Sequence, residues 1–241
     1  MRLNFILFIL LIAIACEKRV IKIMSYYENG QPEWIAEFHS SSDTTTKVIT
    51  GYYSDGTMKC VRNLKNGIEH GEQIVYFPNG KVETLCVKDN GIQSGISKAF
   101  FKNGKLFAQG NYASGLRDGS WEIWKTNGDK FIRNYVRDTL HGQTKEIRTN
   151  GSIVFGQYDK GNEIGEWITK SADSLITMIT TYENGVLQGS VKEFYPTGEL
   201  YVNGYFLNGK KHGEWLVYNK SGVIDTIEVY LNDKFIEYKF K

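Results

Sequence analysis

The sequence has no large excess of charge of either sign, because 29 basic residues are balanced by 27 acidic residues and the formal net charge is +2. The two kinds of charge are spread evenly along the chain, so the sequence contains no basic stripe that could neutralise a phosphate backbone. Nucleic acid is therefore not expected as a partner.

The sequence also lacks the motifs of common enzymes. It contains no G-x-S-x-G, no H-E-x-x-H and no phosphate-binding glycine loop. Recurrent carboxylates such as Glu72, Glu166 and Glu214 each follow a repeated glycine, so their spacing is that of a repeat and not that of a catalytic pair. We therefore expect a protein that is not an enzyme, with no catalytic residues and no cofactor.

Proline is scarce, whereas glycine and aromatic residues are abundant. The chain has 3 prolines, 25 glycines and 14% aromatic residues. Glycine forms turns and aromatic residues favour strands, so this composition predicts an all-β fold.

The longest apolar segment runs from Phe5 to Ala15, near the N-terminus. A helix needs roughly 20 residues to cross a bilayer, so this shorter segment is typical of a signal peptide. It leads into the sequence AIAC, which resembles the lipobox of bacterial lipoproteins, although Ala13 stands where leucine is usual. The resemblance implies that residues 1–15 are a lipoprotein signal peptide and that Cys16 is lipidated.

An ordinary signal peptide, with Cys16 as an unmodified thiol, is the alternative. In both cases the mature chain is expected to leave the cytoplasm. With lipidation, residues 16–25 would form a lipid-anchored linker. The protein would then be anchored in the bacterial cell envelope and face the periplasm or the cell surface.

Glycine recurs in three series with a period of 23 or 24 residues. The first series opens each unit and consists of Gly71, Gly95, Gly119, Gly142, Gly165, Gly189 and Gly213. The second series marks the middle of each unit and consists of Gly56, Gly80, Gly104, Gly128, Gly151, Gly198 and Gly222, with KSADS at 170–174 in place of one member. The third series precedes the first by four residues and consists of Gly67, Gly91, Gly115, Gly161, Gly185 and Gly209, with Asp138-Thr139 in its gap.

Each period is predicted to contain a β-hairpin. Asn-Gly between short runs of β-prone residues favours a tight turn, because both central residues of such a turn need positive φ. We expect one strand, strand a, to start at the opening glycine and a second, strand b, to follow the mid-unit turn. About eighteen strands would then form one meander in residues 26–241, without a helix.

This repeat resembles the MORN repeat (membrane occupation and recognition nexus), in particular its bacterial variant. The segment NGKKHGEWLVYNKSG at 208–222 carries the resemblance most completely, and the pattern extends over roughly residues 26–241. The resemblance implies an elongated single-layer antiparallel β-meander of hairpin repeats of about 24 residues. It also implies an antitoxin role, because many bacterial chains of this type are described as antitoxin components of toxin-antitoxin systems.

The repeat spacing argues against a disulfide and a metal site. Cys60 and Cys86 would lie on b-strands of successive units about 9.6 Å apart, beyond the roughly 7 Å Cα separation that a disulfide allows. His70, His141 and His212 precede opening glycines at intervals of 71 residues. Six strands, or about 29 Å, would separate them, so we expect no metal site and attribute the histidines to a turn preference.

The aromatic residues have two interpretations. In a single-layer sheet they are expected to form cross-strand ladders that replace a closed core, each pair contributing roughly 0.2–1 kcal/mol. Trp121, Trp167 and Trp215 are spaced by about two periods, or about 19 Å, and fit such a ladder. Alternatively, part of this face stays exposed and the three tryptophans bind a partner, since exposed apolar surface often marks interaction sites.

The sequence thus predicts a non-enzymatic envelope lipoprotein whose repeats form an extended scaffold that binds a protein or a wall polymer. It would contact the membrane through its lipid anchor. The alternative is an antitoxin or immunity-type protein that neutralises a partner toxin.

Overall fold

The computed structural model describes residues 19–239, which form strands, turns and loops. The first ten strands are β1 (Val20–Tyr26), β2 (Pro32–Phe38), β3 (Thr46–Tyr52), β4 (Met58–Lys65), β5 (Ile68–Tyr76), β6 (Val82–Asp89), β7 (Ile92–Gln93), β8 (Gly95–Phe100), β9 (Leu106–Ala113) and β10 (Leu116–Trp124). The remaining strands are β11 (Lys130–Val136), β12 (Thr139–Ile147), β13 (Ile153–Asp159), β14 (Asn162–Lys170), β15 (Ile176–Glu183), β16 (Val186–Phe194), β17 (Leu200–Leu207), β18 (Lys210–Lys211), β19 (Gly213–Tyr218), β20 (Ile224–Leu231) and β21 (Lys234–Lys239).

The 21 strands form one open antiparallel sheet in which pairing follows chain order. The predicted all-β meander is therefore confirmed. The strand count exceeds the expected eighteen in part because two a-strands are interrupted before their opening glycine, which divides them into β7 and β8 and into β18 and β19. Within residues 19–239, no helix is long and apolar enough to span a membrane.

The sheet begins earlier than expected. Strand β1 occupies most of the segment 16–25 that the sequence analysis assigned to a linker, and it pairs with β2 from the Val20–Phe38 pair to the Tyr26–Pro32 pair. Its residues are mostly β-prone, and a turn follows at Asn29-Gly30, so the local pattern is that of a hairpin strand. The predicted signal peptide at 1–15 and the predicted lipidation site Cys16 lie outside the described residues.

The turns within the units have a different form from the one expected. In each mid-unit turn a five-residue segment is closed by two backbone hydrogen bonds, as in Phe101 N to Lys105 O at 2.8 Å and Gly104 N to Phe101 O at 2.7 Å. Only the glycine has positive φ, and Asn103 instead accepts a hydrogen bond from Lys105 N through its side chain. Where KSADS replaces the usual pattern, Ser174 takes the glycine's place with φ of 65°.

The two-residue turns with positive φ at both positions lie between units, at the third glycine series. Asn90 and Gly91, for example, have φ of 48° and 82°. In the gap of the series, Arg137 and Asp138 adopt the same conformation with φ of 50° and 67°. We call the two sets the mid-unit turns and the inter-unit turns.

Five of the seven opening glycines lie inside their a-strands, where the pairing is irregular, and this corrects the predicted strand boundaries; Gly95 and Gly213 start β8 and β19 as expected. Gly71 has φ of 90° and lies within β5. The pairing of β5 with β4 passes from Glu69–Leu64 to Gln73–Arg62, so three residues of β5 lie opposite Asn63 alone. Glycine is favoured here because the bulge requires positive φ.

The three histidines that precede opening glycines are likewise in bulges and not in turns; they are His70, His141 and His212. Each precedes a bulge glycine, and two of them lie beside a carboxylate: His70 Nδ1 is 3.4 Å from Asp89 Oδ1, and His141 Nδ1 is 3.2 Å from Asp159 Oδ1. Within residues 19–239, no group of three or more His, Cys, Asp or Glu side chains could hold a metal ion.

The two described cysteines, Cys60 and Cys86, are both free thiols. They lie on β4 and β6, with β5 between them, as the repeat spacing predicts. Burial raises the pKa of Cys86, which is consistent with an unreactive thiol.

Candidate binding surface

Three tryptophans anchor the packing on one face of the sheet. Each indole ring lies between two aromatic rings of the flanking b-strands, with ring centroids 5.1–6.4 Å apart and mostly edge-to-face orientation. The three groups are Tyr112–Trp121–Tyr135, Tyr158–Trp167–Tyr182 and Phe206–Trp215–Tyr230. These groups form the ladder expected for this sheet.

Each indole also packs against a glycine of the preceding b-strand. The pairs are Trp121 with Gly110, Trp167 with Gly156 and Trp215 with Gly204. A Cβ atom at Gly110 would lie 2.2 Å from Cδ2 of Trp121, so only glycine leaves room for the ring. The sheet thus covers its largest side chains without a second layer, because the missing side chain forms a hollow for the ring.

This packing leaves a partner little access to the three tryptophans. Trp121 and Trp215 retain only 6% and 3% of their accessible surface, and Trp167 is partly buried. The geometry favours their structural interpretation. Any direct contact with a partner would involve a minor part of each ring.

The mid-unit turns form a row along one side of the sheet, in which side chains connect neighbouring turns. The Tyr53 hydroxyl donates to Tyr76 O at 3.0 Å, and the Tyr195 hydroxyl donates to Tyr218 O at 2.8 Å. Asn79 Nδ2 similarly donates to Lys102 O at 2.9 Å. Turns of successive units are therefore held in register, about two strand spacings or 9.6 Å apart.

Charge is segregated along this row although it is spread evenly along the sequence. Four consecutive turns, 77–81, 101–105, 125–129 and 148–152, contain the basic residues Lys81, Lys102, Lys105, Lys125 and Arg148 and the single acid Asp129. The two turns before them and the two turns after them contain only the acids Glu28, Asp55, Asp173 and Glu199. These eight turns therefore have a basic segment between two acidic ones, and the last turn of the row, 219–223, contains the base Lys220.

The single acid of the basic segment is used internally. Asp129 is buried and accepts hydrogen bonds from Thr149 N at 3.0 Å and from Asn127 Nδ2 at 2.8 Å. The Thr149 amide is the main reason that the pKa of Asp129 is lowered, so this carboxylate is ionised at neutral pH. Its hydrogen bonds direct it towards the neighbouring turn, which leaves the outer surface of the segment to the lysines.

A groove of about 780 Å³ lies in the basic segment, between the turns 101–105 and 125–129. Its apolar lining comes from Phe101, Leu106 and Trp124, and its basic residues are Lys102, Lys105 and Lys125. The aromatic rings are partly buried and the three lysines are exposed. An apolar concavity with a few charged groups at its rim is the usual form of a ligand site.

Sequence reasoning missed this surface because it counted charges along the chain and not by turn. The signal was present: the glycines of the second series align the turns, and the residues around Gly80, Gly104 and Gly128 are lysine-rich. Comparing equivalent turn positions would have shown the basic segment.

The comparison with protein families agrees with this hairpin architecture. The MORN repeat variant family matches residues 69–87, 93–114 and 187–208, together about a quarter of the chain. Each match covers most of an a-strand, its mid-unit turn and a b-strand, so the family's unit is the hairpin that the structure repeats. A comparison with curated proteins gave no match. The chain is thus a repeat β-sheet protein, three of whose hairpins match the MORN repeat variant family.

Proposed function

We propose that this chain is a non-enzymatic lipoprotein of the bacterial envelope, anchored through Cys16, whose repeat sheet is a scaffold that binds another protein or a wall polymer. MORN-type repeats and a long open sheet suggest a binding role. The observation that best supports it is the row of registered turns, because it presents a chemically distinct basic segment and a groove on a regular support.

The anchor follows from the short apolar segment that leads into AIAC at 13–16. In the structure, β1 begins at Val20, only a few residues after this segment. Lipidation at Cys16 would therefore hold the first strand of the sheet close to the membrane surface.

Cell fractionation of a Cys16→Ser variant tests the anchor. The variant is expected to move from the membrane fraction to the soluble fraction and to lose labelling by a fatty-acid analogue. Cys86→Ser, which changes a free thiol in the sheet, is the matched control and should keep both properties. If Cys16→Ser stays in the membrane fraction and is still labelled, the proposed anchor is wrong.

Cross-linking in intact envelopes, followed by purification of the full chain, tests the binding role. A protein or wall fragment recovered in a fixed ratio to the chain is the expected result. Recovery of a toxin that the chain inhibits would instead support the antitoxin alternative.

A further inference from the structure

The lysines of the basic segment are not paired with carboxylates in salt bridges, although Lys125 attracts the Asp129 carboxylate of its own turn and its Nζ lies 4.5 Å from the Phe131 ring centroid. Among residues 19–239, no salt bridge involves Lys81, Lys102, Lys105 or Lys125. Lys81 Nζ donates to Asn103 O at 2.7 Å, which fixes it against the next turn. Four lysines on three successive turns therefore form a local positive surface on a protein whose net charge is only +2.

The dimensions of this surface fit a short extended peptide. The three turns extend over about four strand spacings, or about 19 Å, and an extended chain covers about 3.3 Å per residue. A segment of about six residues would therefore contact all three turns. Because the lysines lie on both sides of the groove, acidic residues would be needed before and after its centre.

The groove floor requires an apolar group at the centre of that segment. Phe101, Leu106 and Trp124 form a floor without a charged group. One face of Trp124 is already occupied, since Lys130 Nζ lies 4.8 Å from its ring centroid. An apolar side chain would gain free energy from burial against such a floor.

From this arrangement we propose that the basic segment of the mid-unit row binds an acidic peptide segment of another protein, with one apolar side chain inserted between Phe101 and Trp124. The lysines select the charge of the peptide, and the groove selects the apolar anchor. This inference deepens the proposed function and rests on it for the class of partner.

Binding of a synthetic peptide to the purified full-length chain in non-ionic detergent tests the proposal. The probe is a fluorescent peptide of about eight residues with one central phenylalanine between runs of glutamate. A peptide with serine in place of phenylalanine is expected to bind about tenfold more weakly, because it lacks the buried anchor. Raising the ionic strength from about 0.05 M to about 0.5 M should weaken binding of both peptides.

A matched pair of triple variants shows whether the proposed residues are responsible. Lys102→Glu/Lys105→Glu/Lys125→Glu should weaken binding about tenfold or more. The control, Lys65→Glu/Lys210→Glu/Lys234→Glu, changes the net charge equally at exposed positions near the inter-unit turns and should bind as the parent chain does. The melting temperature of each variant shows whether it is folded.

Several outcomes would overturn the proposal. Equal loss of affinity in both folded triple variants would mean that only net charge matters, and equal binding of the serine peptide would exclude the anchor. Tighter binding of alginate, a carboxylated polysaccharide, would assign the groove to a wall-type polymer. If the cross-linked partner still binds the Lys102/Lys105/Lys125 variant, the groove assignment fails but the proposed scaffold function remains. If Cys16→Ser stays membrane-bound, the proposed anchor fails but the result with the peptide remains.

Discussion

The inter-unit turns are connected mainly through the main chain, whereas the mid-unit turns are connected mainly through side chains. In the inter-unit row, Gly91 N donates to Glu69 O at 2.7 Å, and Gly115 N donates to Gln93 O at 2.8 Å. In the mid-unit row, the corresponding connections use the Tyr53 hydroxyl and the Asn79 amide. Main-chain connections depend on backbone conformation, whereas side-chain connections depend on residue type.

This difference explains where the sequence can vary. The turn Arg137-Asp138 replaces the usual Asn-Gly of the inter-unit row, yet Asp138 N still donates to Arg117 O at 2.9 Å. In the mid-unit row, residue changes alter both the connections and the exposed charge. The mid-unit row is therefore the more suitable place for a surface of specific chemistry.

Deleting one whole period is the strongest test of this comparison. Removal of residues 71–94 joins His70 to Gly95, which restores an a-strand with its opening glycine, keeps every later turn in its row and leaves Gly110 beside Trp121. We expect a folded, slightly shorter sheet with cooperative unfolding, because each unit contacts mainly its neighbours. Circular dichroism with thermal unfolding would measure this.

Removal of residues 71–82 is the matched half-period deletion. It removes most of β5 and the following mid-unit turn, so later inter-unit turns would have to lie in the mid-unit row and later mid-unit turns in the inter-unit row. The two kinds of turn are connected differently, so this variant should be largely unfolded. If the two deletions are equally well tolerated, the distinction between the rows is wrong.

Two asparagines distinguish the turn types at single positions. Asn90 has φ of 48° in an inter-unit turn, so Asn90→Ala should cost about 1–2 kcal/mol whereas Asn90→Gly should be nearly neutral. Asn103, without positive φ, accepts from Lys105 N at 2.9 Å, so Asn103→Gly should cost about 1 kcal/mol and at least as much as Asn103→Ala. Urea denaturation gives the four values, and the same order of stability for Ala and Gly at both positions would contradict the assignment.

Much of the fold could be predicted because glycine and asparagine recur where the chain turns. The same property caused the errors in detail. Positive φ is needed in a tight turn and in a bulge, so the sequence alone did not show that Gly71 belongs to a bulge and Gly67 to a turn. Likewise, Asn-Gly at 79–80 uses its asparagine side chain as a hydrogen-bond acceptor, whereas Asn-Gly at 90–91 uses its backbone conformation.

The tryptophan packing had a sequence signal that the glycine series concealed. Gly110, Gly156 and Gly204 belong to none of the three series, yet each lies eleven residues before a tryptophan. Over eleven residues the chain passes through an inter-unit turn and returns on the neighbouring strand, so the glycine and the tryptophan lie side by side. The exposure of the tryptophans and the groove beside Trp124 could not be predicted, because both depend on how the sheet and its turns pack.

Tyrosine hydroxyl groups test the side-chain connections of the mid-unit row. Tyr53→Phe and Tyr195→Phe each remove one hydrogen bond between neighbouring turns and should lower the free energy of unfolding by about 1 kcal/mol. Tyr218→Phe is the control, because the Tyr218 hydroxyl has no hydrogen bond to residues 19–239 in the structure. Equal effects from all three changes in urea denaturation would show that the hydroxyl connections do not stabilise the row.

The pH and salt dependence of stability distinguishes the two rows of turns, because each row contains a carboxylate with a lowered pKa. The expected changes in stability are smaller than those of the preceding variants. The pKa of Asp129 is lowered chiefly by the Thr149 amide, and the pKa of Asp138 is lowered chiefly by the Arg117 side chain, 2.8 Å away. A lowered folded-state pKa means that each carboxylate stabilises the fold above its unfolded value of about 3.9 and loses this contribution as the pH falls through the folded value.

Asp129→Asn and Asp138→Asn should therefore reduce the melting temperature near about pH 6, and the difference from the parent chain should shrink near about pH 3. Salt should distinguish them, because the Asp138–Arg117 contact is a partly exposed ion pair whereas Asp129 is bound to a backbone amide. High salt should reduce the effect of Asp138→Asn and leave that of Asp129→Asn nearly unchanged. The same salt dependence for both variants would mean that Asp129 acts through its charge on the nearby lysines and not through its bond to the next turn.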